Sequence, residues 1–423
     1  MKSRKIAAAL AVVAMASLAF AAPKKQVVTF WHIADQGTDK EFFDSAVAEF
    51  EKANPNVKIE VTNLQNEAFK DKLATVLQSK NPPDIFAGWG GGSLAEHASA
   101  KLLKDITKDV KADPDLSTIS SGALTLFQYN GKQYGVPHDL GAVTFWYNKD
   151  ILKEVGYDTF PTDWDDFITM CKKIKDAGYV PIAMAGGDKW PAMHFFSYLA
   201  LRIGGKEVLA GFSADGAMPA GFKGFNDPAF IKAGEMIKEV ADMGLFQTGF
   251  LAATQNDGAA LVGNGKAAME LMGHWAPGVQ NAQSASGKGI GDKLATAAFP
   301  AIKGGKGKVT EVIGGGNGFE VGKNASKEAV AFLKFLLSKK SLSKYASVSS
   351  IIPTVAGTEA AMTDNNMKQV KEVVGASTYY QLYLDQFLSP AAGAAVNDNV
   401  QAIMAGTKTP AKAMADIQKV YEE

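Results

Sequence analysis

Hydrophobic and polar positions alternate between two periods along the first ninety residues. Val27-Val28-Thr29-Phe30-Trp31 is a short β-branched and aromatic run, too continuous for a half-exposed strand, and it predicts a central strand buried on both faces. Phe42, Phe43, Ala46, Val47 and Phe50 then recur at helical spacing until Asn54-Pro55 stops the helix. A second strand is expected over Val57 to Val61. Phe69, Leu73, Val76 and Leu77 mark a second amphipathic helix, which Asn81-Pro82-Pro83 closes before a short strand at Asp84 to Ala87. The order βαβαβ implies a parallel sheet with ligand beyond the carboxyl ends of its strands. That rule points to Trp31-His32 and to Gly88-Trp89-Gly90-Gly91-Gly92.

Farther along, Tyr129-Asn130-Gly131-Lys132 predicts a hairpin turn, and Gln133 to Val136 leads through Pro137-His138-Asp139 into an apolar strand at Ala142 to Tyr147. The chain is expected to cross between lobes here. Thr162 is read as a helix N-cap with Asp165 completing a capping box. Ile231 to Met243 reads as a helix, and Lys266 to Met272 as a buried strand running into Gly273-His274-Trp275-Ala276-Pro277. A hairpin loop is expected at Lys303 to Lys308, before Gly314-Gly315-Gly316-Asn317-Gly318. The remainder reads as helical, Tyr379 and Tyr380 included.

Length changes the picture first. The 423 residues exceed what one core comfortably organises, so two lobes are expected, and a hydrophobic content of 47% supports packed cores. At the start, Lys2, Arg4 and Lys5 precede an apolar run from Ile6 to Phe20 with the small-residue pattern Ala19-Phe20-Ala21, which reads as a signal peptide over residues 1–22. The run is short for a membrane span. The single cysteine, Cys171, lies far from the cleavage junction, leaving no lipid attachment point there and no disulfide pair. Basic and acidic residues balance at 44 each, and removing the leader leaves a small acidic excess, so no global field attracts nucleic acid or anionic membrane.

Motifs for chemistry are sparse. There is no phosphate loop, no His-Glu-x-x-His helix and no Gly-x-Ser-x-Gly elbow. The five histidines lack zinc spacing, and no metal or cofactor is expected. Aromatic residues beside glycine at strand ends, Trp31, Trp89, Trp190 and Trp275, suit a carbohydrate, because an indole covers the apolar face of a sugar ring while acids and amides bond its hydroxyls. Glycines such as Gly90 let backbone groups approach the ligand. His32, Asp35, Gln65 and Asp139 are the polar candidates from the first half of the chain; His274, Gly316 and Asn317 come from the second. Trp146 and Trp164 are assigned to packing, and no residue is assigned a catalytic role.

Several segments in order resemble a known family: Val28 to Trp31, Asn81 to Phe86, Gly131 to Pro137, Trp146 to Asp150, Pro161 to Phe167 and Met269 to Pro277. Together they resemble the maltose-binding-protein-like extracellular solute-binding proteins, family 1, of sugar ABC importers. The resemblance implies an α/β, type II periplasmic-binding-protein-like fold: two α/β lobes around a hinged ligand cleft. The expected division is residues 23–138 plus 279–338 for the N-terminal lobe and 139–278 plus 339–423 for the C-terminal lobe. It also implies a periplasmic monomer that captures a mono- or oligosaccharide and passes it to a membrane permease driven by a separate ATPase. A non-sugar solute such as a polyamine, or a secreted glycoside hydrolase, are the competing readings.

Overall fold

The computed structural model describes residues 25–213 and 216–423; the leader assigned to residues 1–22 lies outside them. The opening pattern folds as its periodicity requires. Strand Gln26–His32 pairs in parallel with Val57–Asn63 on one side and Ile85–Gly88 on the other, with helices Gly37–Ala53 and Asn66–Val76 as the crossovers. Strand Gly318–Val321 returns from far down the chain, antiparallel to Ile85–Gly88, and pairs with Gly135–Pro137 to complete five strands.

A second sheet orders its strands Leu294–Ala297, Thr144–Asn148, Ala267–Met272 and Val180–Ala183. Every residue of Ala267–Met272 is buried, which explains its unbroken apolar run apart from Glu270. Between the two sheets lies a third, formed by Tyr379–Leu382, Glu311–Gly315 and Gly141–Ala142. Each of these segments joins parts of the chain that serve different sheets or cores. The third sheet is therefore where the crossings converge.

Two large apolar clusters flank that junction. One gathers Phe30, Phe69, Phe86, Phe319 and Phe332; the other gathers Phe145, Phe167, Phe195, Phe230 and Phe299. Helices Lys339–Val348 and Asn365–Gly375 contribute Leu342 and Val370 to the first cluster, although the sequence-based division puts 339–423 in the second lobe. Conversely, strand Leu294–Ala297 and Phe299 belong with the second sheet and second cluster, although the same division puts 279–338 in the first lobe. Helical periodicity states that a face is buried but not against which core, so it could not make this choice.

Three local readings shift. The predicted hairpin at 303–308 does not form one, because Leu294–Ala297 and Glu311–Gly315 lie in different sheets. Asp163 rather than Thr162 caps helix Trp164–Asp176, its carboxylate accepting from Asp166 N at 3.0 Å. Tyr379 and Tyr380 lie in a strand, where alternation sends Tyr380 to donate its hydroxyl to Gly141 O at 2.6 Å. The Tyr129–Lys132 turn is a hairpin as read, with Asn130 and Gly131 both at positive φ.

Helix Trp190–Gly204 is buried over most of its length and bolts the second core to the crossings. The Arg202 guanidinium donates to the Glu311 carbonyl at 3.0 Å and to the Phe299 carbonyl, while lying 5.2 Å from the Tyr198 ring centroid. The Tyr198 hydroxyl donates to Val143 O at 2.7 Å and accepts from Ile313 N at 3.1 Å. One end of this helix is thus fixed at the junction, and the other delivers side chains to the space between the cores.

Candidate functional site

A cavity of about 200 Å³ lies between the two clusters, lined from both. His32, Phe43, Trp89 and Phe319 line it, with Trp190, whose indole packs in the first cluster; Tyr383 reaches it from the second, Trp275 packs against both, and His194 lines it beside Trp190.

Local structure explains each placement. His32 ends its strand on the same face as Phe30, whose ring lies 4.9 Å away. Trp190 opens its helix beside Pro191, and the i, i+4 spacing places His194 on the same face, ring centroids 5.4 Å apart. The residue before Trp190, Lys189, holds φ at +66°, a conformation that costs a non-glycine side chain and persists where the surroundings demand it. Trp275 folds its indole over Gly273, where a Cβ would collide with the ring. It meets Trp190 at 6.1 Å and Tyr383 edge-on at 5.9 Å. Gly315 performs the same service for Tyr383.

Burial and hydrogen bonding give the cavity its chemistry. His32 Nε2, Asn66 Oδ1, His138 Nδ1, Trp190 Nε1, both His194 nitrogens and the Tyr383 hydroxyl are buried and find no hydrogen-bond partner among the described residues. Each belongs to a residue lining the cavity. An unpaired buried polar atom costs about 1–3 kcal/mol, so seven converging on one space call for a ligand rich in donors and acceptors. Burial holds the His32 imidazole down to about 4 and that of His194 to about 3, so both are neutral. His32 Nδ1 accepts from Ala34 N at 3.2 Å, which leaves the proton on Nε2 to donate into the cavity.

Asp139 is tied inward. Its carboxylate accepts from Asn317 N at 2.8 Å and from the Asn317 side-chain amide at 3.0 and 3.1 Å, and meets His274 Nε2 at 3.0 Å. Burial alone would raise its pKa; the neighbouring His274 and His138, with these hydrogen bonds, reverse that and hold it at about 2. Asp139 therefore braces the cavity wall through Asn317 and His274.

Of the sequence candidates, His32, Asp35, Gln65, Trp89, Asp139, Trp190, Trp275 and Asn317 line the cavity. Asp35 is at its exposed mouth, and Gln65 spends its side-chain oxygen capping helix Asn66–Val76 at Glu67 N, 2.9 Å away. Trp31, Gly90, His274 and Gly316 do not line it. Strand alternation sends Trp31 to the face opposite His32, where Lys72 sits 5.2 Å from its ring. Gly90, at φ +72°, is needed because a Cβ would meet the Leu126 carbonyl. Gly91 and Gly92 likewise admit the backbone of Gln386 to Leu388, so close backbone approach accounts for the glycine run. His274 is fully buried behind Asp139, and a Cβ on Gly316 would press on Asp139 O at 2.8 Å.

Sequence reasoning missed His194, Tyr383, Asp385 and Lys70. His194 carried a readable signal, its i+4 relation to Trp190. Tyr383 and Asp385 carried none, because the helical pattern gives no sign of the strand Tyr379–Leu382 that they follow.

Among the described residues, no helix is long and apolar enough to cross a membrane. The sequence profile of the bacterial extracellular solute-binding proteins matches residues 34–342. An uncharacterized ABC transporter extracellular-binding protein of Pyrococcus horikoshii is 30% identical over 258 residues, which is 60% of this chain and only 56% of that relative. The multiple sugar-binding protein of Streptococcus mutans is 25% identical over 334 residues, covering 74% of this chain and 71% of that protein. Among solved structures, one from a study of xylan utilization by Caldanaerobius polysaccharolyticus superposes with a TM-score of 0.83 at 27% identity, over 93% of this chain and 99% of the other.

Proposed function

Because this chain belongs to the bacterial extracellular solute-binding proteins, we propose that it is the capture component of an ABC-type sugar importer, closing two lobes over a mono- or short oligosaccharide. The observation that carries this reading is the convergence, from two separate cores, of the Trp190, Trp275 and Tyr383 rings with seven unpaired buried polar atoms on one cavity. A pyranose matches that lining: its C–H faces stack on indoles, and its hydroxyls supply the missing partners. Ligand contacts made by both lobes favour the closed state by their differential affinity, and no covalent step is required. The protein would work outside the inner membrane after leader cleavage and hand its cargo to a permease powered by a separate ATPase.

The test is a thermal-shift screen against neutral mono-, di- and trisaccharides, followed by calorimetric titration of each hit. A ligand that binds only the folded state raises the melting temperature. Trp275→Ala is expected to weaken binding of that hit about 5- to 150-fold, or ~1–3 kcal/mol. A panel without a single shift, or an unchanged affinity in the variant, would refute the assignment. Chromogenic glycosides discriminate against a hydrolase, for which turnover would be the sign; a polyamine that outbinds every sugar would favour the competing solute class.

A further inference from the structure

Resting on the carbohydrate reading above, we propose that Asp385, set across the cavity from Lys70, makes the site selective for uncharged glycans and against their uronic acid counterparts. Lys70 belongs to helix Asn66–Val76, whose Phe69 and Leu73 pack in the first core. Asp385 belongs to the short helix Leu384–Phe387, which is anchored in the second core by Leu384 and Leu388. Both residues line the cavity, and each keeps a local partner: Lys70 pairs with Glu67 at 3.0 Å and stands 5.3 Å from the Trp89 ring centroid.

The Asp385 carboxylate is buried and half-used. One oxygen, Oδ2, accepts from the Gln386 and Asn397 amides at 3.2 Å each; among the described residues no protein group donates to Oδ1. Burial raises its pKa, and the Lys70 charge opposes that rise. A hydroxyl can donate to Oδ1 while a neighbouring one accepts from Lys70 Nζ. A ligand carboxylate cannot donate to Oδ1 and would share the cavity with the lining residues Asp39, Asp139 and Asp385. Lys70, already paired, is the only lysine or arginine among the described lining residues, so no guanidinium fork is present to receive a carboxylate. Like charges held in a poorly solvated cavity repel far more strongly than in water.

Calorimetric titration at neutral pH would compare each neutral saccharide that binds with its uronic-acid-bearing counterpart. The expected result is at least tenfold weaker binding of the acid. In Asp385→Asn, neutral binding should fall several-fold and the acid-to-neutral ratio should move toward unity. Equal affinity for the acid in the unmodified protein overturns the selectivity while leaving the carbohydrate reading intact, as does a discrimination ratio unchanged by Asp385→Asn. Binding of no saccharide at all overturns both. Should Asp385→Asn fail to fold, Lys70→Met decides: loss of the Lys70 charge must widen the ratio, and an unchanged or narrowed ratio overturns the proposal.

Discussion

His274 Nε2 and Asp139 Oδ2 lie 3.0 Å apart although 135 residues separate them in the chain. The imidazole sits at the end of strand Ala267–Met272, and the carboxylate sits just before the crossing strand Gly141–Ala142. This contact ties a second-sheet strand end to the segment that leaves the first sheet. A Cβ on Gly141 would strike the His274 ring, so the pair also requires a glycine at the crossing.

Acid should loosen this tie. The Asp139 pKa is depressed to about 2 in the folded protein, whereas an unfolded aspartate titrates near ~3.9. The contribution is therefore complete above about pH 4 and is lost as the pH falls toward about 2, amounting to ~2.5 kcal/mol. Asp139→Asn should lower stability at pH 7 by about 1–3 kcal/mol by leaving its buried partners mismatched. Urea denaturation of both proteins at pH 7 and pH 3 checks this; a variant as stable as the parent at pH 7 would contradict it.

His194 should govern a different pH window. Its folded pKa of about 3 lies below the ordinary histidine value because of burial. The unfolded chain thus takes up a proton first, and stability falls as the pH drops below about 6.5 toward the folded value. Above that range the residue adds no pH dependence. His194→Phe should flatten the melting-temperature profile between about pH 6.5 and 4 and, by removing both cavity-facing nitrogens, weaken sugar binding about tenfold. A variant whose profile keeps the parental slope would show that other groups set it.

Much of the first lobe was legible because local patterns determine it: the βαβαβ unit needs only period, turn residues and the handedness of crossovers. The same logic reached His32, Trp89, Trp190 and Trp275, all beside strand ends or helix starts. What stayed hidden depends on distant partners. Strand Gly318–Val321 carries no mark saying that it inserts beside Ile85–Gly88, and the 342–370 helices carry none saying which core they join. Trp31 was chosen for its position at the strand end, yet its neighbour His32 occupies the cavity face, and two adjacent strand residues cannot share one face. Asp385 depends on a third sheet whose strands come from three separate stretches of chain.

Gly315 should prove as sensitive as any lining side chain. It sits in the crossing strand paired to Gly141, and a Cβ there would overlap the Tyr383 ring. Gly315→Ala must push Tyr383 out of its contacts with His194, at 5.1 Å, and Trp275. The expected cost is about 1–3 kcal/mol in stability, with sugar affinity lowered at least tenfold although no sugar-contacting atom is deleted. Intact affinity together with an unchanged melting temperature would mean that the ring relocates freely.

Closure itself can be tested at a point where the two sides touch. Helix Gly37–Ala53, packed in the first core, meets helix Ala276–Gln283, which follows directly from the second-sheet strand, and a Cβ on Gly37 would lie 3.4 Å from that of Ala282. Only small residues allow this approach. Ala282→Trp adds bulk at the seam, so it should bias the free protein toward an open arrangement. The observed affinity then falls by the fraction of molecules still able to close: a tenfold loss corresponds to ~1.4 kcal/mol against closure. Because Gly37 and Ala282 meet between the cores rather than within either, the melting temperature without ligand should stay within a few degrees of the parent. Small-angle scattering supplies the direct readout. Ligand should shrink the radius of gyration of the parent, and the variant should need correspondingly more ligand for the same contraction; contraction at the parental concentration would show that this seam does not limit closing.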